Sequence, residues 1–359
     1  MWRDVAKRAL LVTASLTFAC LLTEAGFRVV GYRQGIDYRL YLKELKNSDR
    51  MPRAILRPDE NLGVVLAPDA QALQVTSDFS VVYRTNSKGL RDREYDYAKP
   101  PGKLRVLALG DSFTFGVGAS FEDTYLSLAE GMLNARLGDH PQVEIVKAGV
   151  PRFYPETERM LLEHYGLAYA PDVVVVGFTP NDVSDTVFGV DAVTTDASGF
   201  LKSQEAKVLG SLGQWLFLNS HAARIGLGDY IQHTSAARNP VRWDEIFRDD
   251  GFHEPEWRRI EAELTRMREL VAQAGEKSFV VLCIPQRGPW PQSAEYPARR
   301  LRRWTARNEA VVVDALPLFR AAGGQQRLFW EGDPHCTPAG YRLVAEALVD
   351  GLESASLVP

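Results

Sequence analysis

The amino-acid sequence predicts an α/β fold, a doubly wound three-layer sandwich around a five-stranded parallel sheet. Three observations predict it. Short β-branched and aliphatic runs recur at 104–109, 143–146, 172–178, 278–284 and 310–313. Each is nearly continuous, as a strand covered on both faces reads. Patterns of helical period follow them at 122–137, 155–169, 256–274, 298–308 and 337–352. Strand alternating with helix implies parallel strands joined by right-handed crossovers. Finally, 359 residues at 45% hydrophobic and 25% charged give a chain able to bury a sizeable core without metal or disulfide staples.

Residues 1–31 come first. Arg3, Lys7 and Arg8 precede a charge-free apolar run at 9–22, the order of a secretory or anchoring segment. That run alone is short for a bilayer span of about 20 residues, but 23–31 continues its character. Glu24 and Arg28 interrupt it, and at i,i+4 they share a helix face and can pair. The leading reading is a membrane anchor with its basic end cytoplasmic and the body exported, on the periplasmic or extracellular side. A cleaved signal is the alternative, although Thr17-Phe18-Ala19 and Thr23-Glu24-Ala25 are poor small-x-small sites. A buried N-terminal helix is the third reading.

Residues 32–103 read as a stalk and a small β-rich extension, with strands at 63–66 and 79–84 and an end at Pro100-Pro101-Gly102. Residues 104–359 carry the sheet. Interval 183–253 breaks their rhythm, separating the third strand from its next helix. Such a length signals an insertion with its own structure or role, either a lid over the site or a piece packed on the sheet's flank or the membrane. Its stretch 201–231 is apolar enough to be helical and partly buried.

Charge and motifs exclude several classes. A net charge of −4 offers no dense positive field for nucleic acid. Arg299, Arg300, Arg302, Arg303 and Arg307 read as a solvated helix face. Cys20, Cys283 and Cys336 have no CxxC spacing. His140, His164, His221, His233 and His253 form no metal spacing. Gly116-Val117-Gly118 lacks the third glycine of a dinucleotide fingerprint, and Gly275-Glu276-Lys277-Ser278 lacks a P-loop's upstream glycine. No metal or cofactor is expected.

In open parallel sheets, ligands bind beyond the carboxyl ends of the strands. Gly110-Asp111-Ser112-Phe113 follows the first strand, Lys147-Ala148-Gly149 the second, and Thr179-Pro180-Asn181-Asp182 the third. Asp333-Pro334-His335 precedes the last helix. These places hold every role for acyl transfer. Ser112 can attack, His335 can take its proton, and Asp333 can orient the imidazole. The N–H groups of Ser112 and Gly149 and the Asn181 amide can hold an oxyanion.

The ordered set Gly110-Asp111-Ser112-Phe113, Gly149, Pro180-Asn181-Asp182 and Asp333-Pro334-His335-Cys336 resembles the SGNH (GDSL-type) hydrolase superfamily over about residues 104–352. The resemblance implies a flavodoxin-like sandwich and a serine esterase without cofactor. Its oxyanion site would be Ser112, Gly149 and Asn181. Two positions depart from the usual pattern. Gly332 stands three residues before His335, where many members carry the triad Asp, so Asp333 takes that role, with Glu331 as the fallback. Lys147 stands where Asn is common, and it either points away or adds charge near the site. The Asp-x-His spacing is similar to the branch that includes alginate-type exopolysaccharide O-acetylation proteins. Residues 83–92 also look like the lead-in segment of membrane-anchored members.

The implied substrate is an acylated glycan or lipid, its acyl group an acetyl. Transfer to a polysaccharide hydroxyl would use the same residues, and a silent glycan-binding module is the reading from another class. Protein partners are not legible. Cys283 and Cys336 read as a buried thiol and an unrelated loop thiol; both fall near one sheet edge, so a disulfide tethering the histidine loop is the alternative.

Overall fold

The computed structural model describes residues 2–29, 55–76, 78–138, 142–188, 253–275 and 277–358, with single positions between 212 and 251. The chain divides into two compact units, Met1–Lys46 with Phe200–Pro240, and Asn47–Gly199 with Val241–Pro359.

In the first unit, α1 spans Trp2–Val29, 28 residues. At 1.5 Å per residue it is about 42 Å long, more than the roughly 30 Å of bilayer hydrocarbon. Its stretch Asp4–Val29 has a mean hydropathy of 1.7 and is unburied. Among the described residues, one helix is therefore long and apolar enough to cross a membrane, a property an anchor and a signal sequence share. The hydroxyls of Thr13, Thr17 and Thr23 donate to carbonyls one turn back, which keeps polar atoms satisfied on an apolar helix. Arg28 Nε donates to Glu24 Oε1 at 2.8 Å, the i,i+4 pair expected from spacing. The other Glu24 oxygen accepts from the Ser220 hydroxyl and the Ala222 N–H, both at 3.0 Å. Most of 201–231 lies outside the described residues. Leu212 and Trp215 within it are helical and 72% and 60% exposed, while Gly213, Ser220, Ala222 and Ala223 are half-buried.

The second unit opens with two antiparallel hairpins. β1 (Leu56–Asp59) pairs with β2 (Gly63–Leu66), and β3 (Gln71–Val75) with β4 (Ser80–Arg84). In β4, buried Val81 and Tyr83 alternate with exposed neighbours, the pattern of a sheet wet on one face.

The sheet follows: β5 (Leu104–Gly110), α2 (Ser112–Phe115), α3 (Tyr125–Leu137), β6 (Val143–Gly149), α4 (Pro155–His164), β7 (Val173–Phe178) and α5 (Asn181–Phe188). Then come α6 (Glu254–Gln273), β8 (Ser278–Cys283), α7 (Tyr296–Thr305), β9 (Val311–Asp314), α8 (Leu316–Ala322), α9 (Gln325–Leu328) and α10 (Pro338–Ser354). The strand order is β6-β5-β7-β8-β9, with every pair parallel. Both faces are covered. Val106, Ala108, Ile145, Val175, Val280 and Leu282 share one core with Leu126 and Leu133 of α3 and Tyr341, Val344 and Leu348 of α10. Helices α4 and α6 pack together in the other layer. In α6, Trp257, Ile260, Leu264, Met267 and Val271 are buried, a spacing of three and four that makes one apolar stripe.

Several boundaries differ from the sequence reading, and two of them have a clear local cause. Helix α3 starts at Tyr125 because Thr124 is extended and its hydroxyl accepts the Ser127 N–H, while Phe121–Asp123 forms a separate 3-10 turn. The long interval after the third strand begins with α5, not with an insertion. Val183 and Thr186 are buried there, and Asp182 accepts the Thr179 N–H at 2.9 Å, so residues 183–188 belong to the core.

Lys147 points away from the strand ends. Its buried ammonium donates to Glu130 Oε2 (2.7 Å), Asp92 Oδ1 (3.2 Å) and the Ile145 carbonyl (3.0 Å). Asp92 also accepts the Lys147 N–H at 2.9 Å. The network ties residues 85–103 to β6 and α3. A broken buried pair costs about 3–5 kcal/mol because a charge is left uncompensated. Lys147→Met is expected to lose that much stability, read as a lower urea midpoint. A loss under about 1 kcal/mol would mark the network as effectively solvated.

Candidate active site

The site lies where β5, β6 and β7 end. Their last layer is bare: Gly110 pairs with Gly149 on one side and with Gly177 on the other. A Cβ on Gly110 would lie 2.0 Å from Thr114 Oγ1, one on Gly149 2.3 Å from Phe115 N, and one on Gly177 2.5 Å from Thr114 Oγ1. Helix α2 therefore rests directly on the sheet edge. Gly149 has a packing duty there that the oxyanion argument had not supplied.

Asp111 caps that helix. Its buried carboxylate accepts the Phe113 N–H at 2.8 Å and the Asn181 Nδ2–H at 2.9 Å. The Thr179 hydroxyl lies 3.0 Å from the same Asp111 oxygen as Asn181. Burial pushes the Asp111 carboxyl up, while these donors and the nearby His335 pull it down.

Ser112, first in α2, is joined to the last loop. His335 Nε2 lies 2.7 Å from Ser112 Oγ, and His335 Nδ1 lies 2.6 Å from Asp333 Oδ1. The His335 backbone N–H donates to the same Asp333 oxygen at 3.0 Å. The His335 and Asp333 side chains are 14% and 12% exposed, so the line is shielded but reachable. Phe113 packs on the imidazole, ring centres 4.8 Å apart. Glu331 is solvent-exposed and its carbonyl accepts from Arg287.

Asn181 opens α5. Its Oδ1 accepts from Gln286 and lies within reach of the Thr179 hydroxyl. Its Nδ2 donates to Asp111 and to Asp185 Oδ2 at 3.1 Å. Donors on one side and carboxylates on the other fix the amide's orientation. Desolvation pushes Asp185 up to about 6, against the pull of Arg152 and the Asn181 amide. No group of three or more metal-ligating side chains converges among the described residues.

The profile of the GDSL-like Lipase/Acylhydrolase family matches residues 108–343. The chain belongs to that family. It is an ester-bond hydrolase of the GDSL-like type. Among solved structures it is similar to a catalytic mutant of an acetylxylan esterase from Geobacillus stearothermophilus, at 14% identity and a TM-score of 0.42, covering 71% of this chain and 96% of the other. It is also similar to a lipase/acylhydrolase from Enterococcus faecalis (15%, TM-score 0.38, 70% and 96% covered). A third is a psychrotrophic esterase from Pseudoalteromonas sp. (10%, TM-score 0.41, 71% and 100% covered). No curated protein matches the sequence.

In this GDSL-like acylhydrolase, several supporting residues escaped the sequence reading. Arg91 is buried between the rings of Tyr83 and Phe115, at 4.5 and 5.0 Å. Its guanidinium donates to the carbonyls of Phe115 (2.8 Å), Gly116 (2.7 Å) and Ala119 (2.7 Å), holding the turn that leaves α2. Burial pulls it down to about 10, so it stays charged at neutral pH. The histidine loop is gripped as well. Arg287 donates to the Trp330 carbonyl at 2.8 Å, and Asp78 of the β3–β4 turn accepts the Gly332 N–H at 2.8 Å. The run 83–92 had hinted at Arg91 alone; Asp78 and Arg287 carried no signal in the sequence.

Glu158 of α4 and Asp182 of α5 are fully buried behind the site. Neither Glu158 oxygen has a hydrogen-bond partner among the described residues. Desolvation first, and the Asp111 charge second, hold Glu158 well above the usual carboxylate range. Its place one turn before Leu161 and Leu162 on the buried face of α4 was the available signal. Cys283 and Cys336 are two separate buried free thiols rather than the alternative disulfide. Cys283 pairs beside Phe178 and Asp314 at the strand ends, whereas Cys336 packs against Gly340 in the core under α10.

Two outcomes follow from these surroundings. Arg91→Lys replaces a planar fork with one ammonium, which cannot reach all three carbonyls. It is expected to lower kcat on an aryl acetate at least about tenfold, equivalent to about 1.4 kcal/mol of barrier, with KM little changed. An unchanged kcat would separate Arg91 from the nucleophile's placement. Glu158 has a folded pKa above its unfolded value of 4.5. Its stabilising contribution is full below that value and is lost as pH rises through the folded pKa. The Tm advantage of Glu158→Gln over wild type should therefore grow from about pH 5 to about pH 9. A constant difference would mean that Glu158 stays charged throughout.

Proposed function

We propose that this enzyme is a serine esterase acting on O-acyl groups, acetyl above all, of an envelope or extracellular glycan or lipid. The observation that carries the chemistry is the hydrogen-bonded line from Asp333 through His335 to Ser112, at 2.6 and 2.7 Å. Asp333 holds Nδ1 protonated, which leaves Nε2 as the acceptor facing Ser112. Ser112 Oγ attacks the acyl carbonyl as His335 takes its proton. The N–H groups of Ser112 and Gly149 and the Asn181 amide receive the oxyanion. Collapse expels the alcohol, which His335 protonates, and leaves an acyl-serine. Water then attacks with His335 as base, and the acid departs. A sugar hydroxyl in place of that water gives the transferase alternative with identical residues. The aligned Ser112, His335 and Asp333 speak against a silent binding module.

The N-terminal helix is read as the anchor, residues 1–8 on the cytoplasmic side and the catalytic unit exported. Residues 55–103 count as part of that unit, because Arg91 and Asp78 reach its loops. The Asp-x-His spacing favours the exopolysaccharide O-acetylation branch.

The full chain in detergent, treated with a fluorophosphonate probe and an aryl acetate, tests the chemistry. Wild type is expected to label and turn over, and Ser112→Ala to do neither. Asn181→Ala should lower kcat by about 10²–10³, the loss of one oxyanion donor. Folded wild type that does not label would overturn the nucleophile assignment. Acyl-sugar product formed with added oligosaccharide would favour transfer over hydrolysis.

A further inference from the structure

The Asn181 amide has two hydrogens, and carboxylates hold both. Asp111 takes one at 2.9 Å and Asp185 the other at 3.1 Å. An oxyanion can be received there only if one carboxylate lets go. Asp111 is not the one. It is fully buried, it caps α2 through the Phe113 N–H, and the Thr179 hydroxyl also reaches it. Asp185, one helical turn after Asn181, is only partly buried, and its bond to Asn181 is the longer of the two.

A carboxylate released from Asn181 needs another donor. Its charged surroundings include Arg152, which favours the carboxylate, Asp111, which opposes it, and the buried Asp182. Tyr154 also lies within electrostatic reach, but its hydroxyl is 3.0 Å from Glu156 Oε2. Arg152 follows Gly149 by three residues and has a φ of 75°, a left-handed conformation that side chains other than glycine, Asn and Asp rarely take and that clusters at ligand sites. The loop that carries Gly149 thus also carries the cation that favours the Asp185 carboxylate, and Asp185 shares its helix with Asn181. A hydroxyl beside the ester oxygen, as on an acylated sugar, offers the released carboxylate the donor it needs. A plain aryl or alkyl ester offers none.

We propose that Asp185 determines specificity by exchanging its Asn181 hydrogen bond for a hydroxyl of the substrate's alcohol part, so that esters of polyhydroxylated alcohols are favoured over plain esters. The inference rests on the assignment of Ser112 and Asn181 given above. A site built to bond a hydroxyl disfavours the analogue that lacks it, because its own polar group is left unpaired.

The test uses the full chain in detergent and two acetyl esters: a methyl glycoside monoacetate with free hydroxyls, and the same monoacetate with the other hydroxyls methylated. Wild type should prefer the first by kcat/KM. In Asp185→Ala and Asp185→Asn that preference should shrink by about 10–100-fold, the range of one hydrogen bond to a charged group. Labelling by the fluorophosphonate reports whether each variant is folded. A wild type without preference overturns the inference, and so does a preference that survives in both variants. Turnover that persists in Ser112→Ala would instead overturn the catalytic assignment, so the two failures are distinct.

Discussion

The bare layer formed by Gly110, Gly149 and Gly177 is the constraint on which the site depends. Side chains normally stand about one methyl or more above a sheet, and any of them here would occupy the space of Thr114 or Phe115. Because the layer is empty, the backbone of α2 settles onto the strand ends. Ser112 then projects from the sheet edge at a depth that His335 can meet. The sheet itself is rigid through its parallel register and its two covered faces, so the serine inherits its position from the most ordered part of the molecule.

Rigidity below is matched by restraint above. Buried carbonyls left without a donor are costly. Arg91 donates to three carbonyls of the turn after α2 with one planar group, and the Gly116 carbonyl also accepts the Ala119 N–H. Since Arg91 lies on the segment between the hairpins and the first sheet strand, that segment supports the turn leaving the Ser112 helix. The Lys147, Asp92 and Glu130 network fastens the same segment at the very next residue. Two adjacent buried side chains of opposite charge, Arg91 and Asp92, thus anchor this segment against the core.

Much of this was legible in the sequence, and the reason is local. The strands announce themselves by continuous Val-rich runs, and the four loops with reactive side chains follow directly from the rule that ligands bind at strand ends. What escaped depends on contacts far apart in the chain. Lys147 had two open directions until Asp92 and Glu130 fixed one. Arg91 reads as an ordinary surface charge until Phe115, Gly116 and Ala119 are seen around it. Glu158 looks like any helix carboxylate, and only the packing of α4 makes it buried. The start of the long interval was misplaced because α5 is short, and its buried Val183 and Thr186 do not set up a long period.

The histidine loop is held at several points by its main chain. Arg287 binds two of its carbonyls, Asp78 binds the Gly332 N–H, and Trp330 N–H donates to the His335 carbonyl. A loop gripped in this way does not depend on the identity of an exposed side chain such as Glu331. Lineages can therefore exchange that residue while the imidazole stays in place. The frame that serves one ester is in that sense already prepared to be retuned for another.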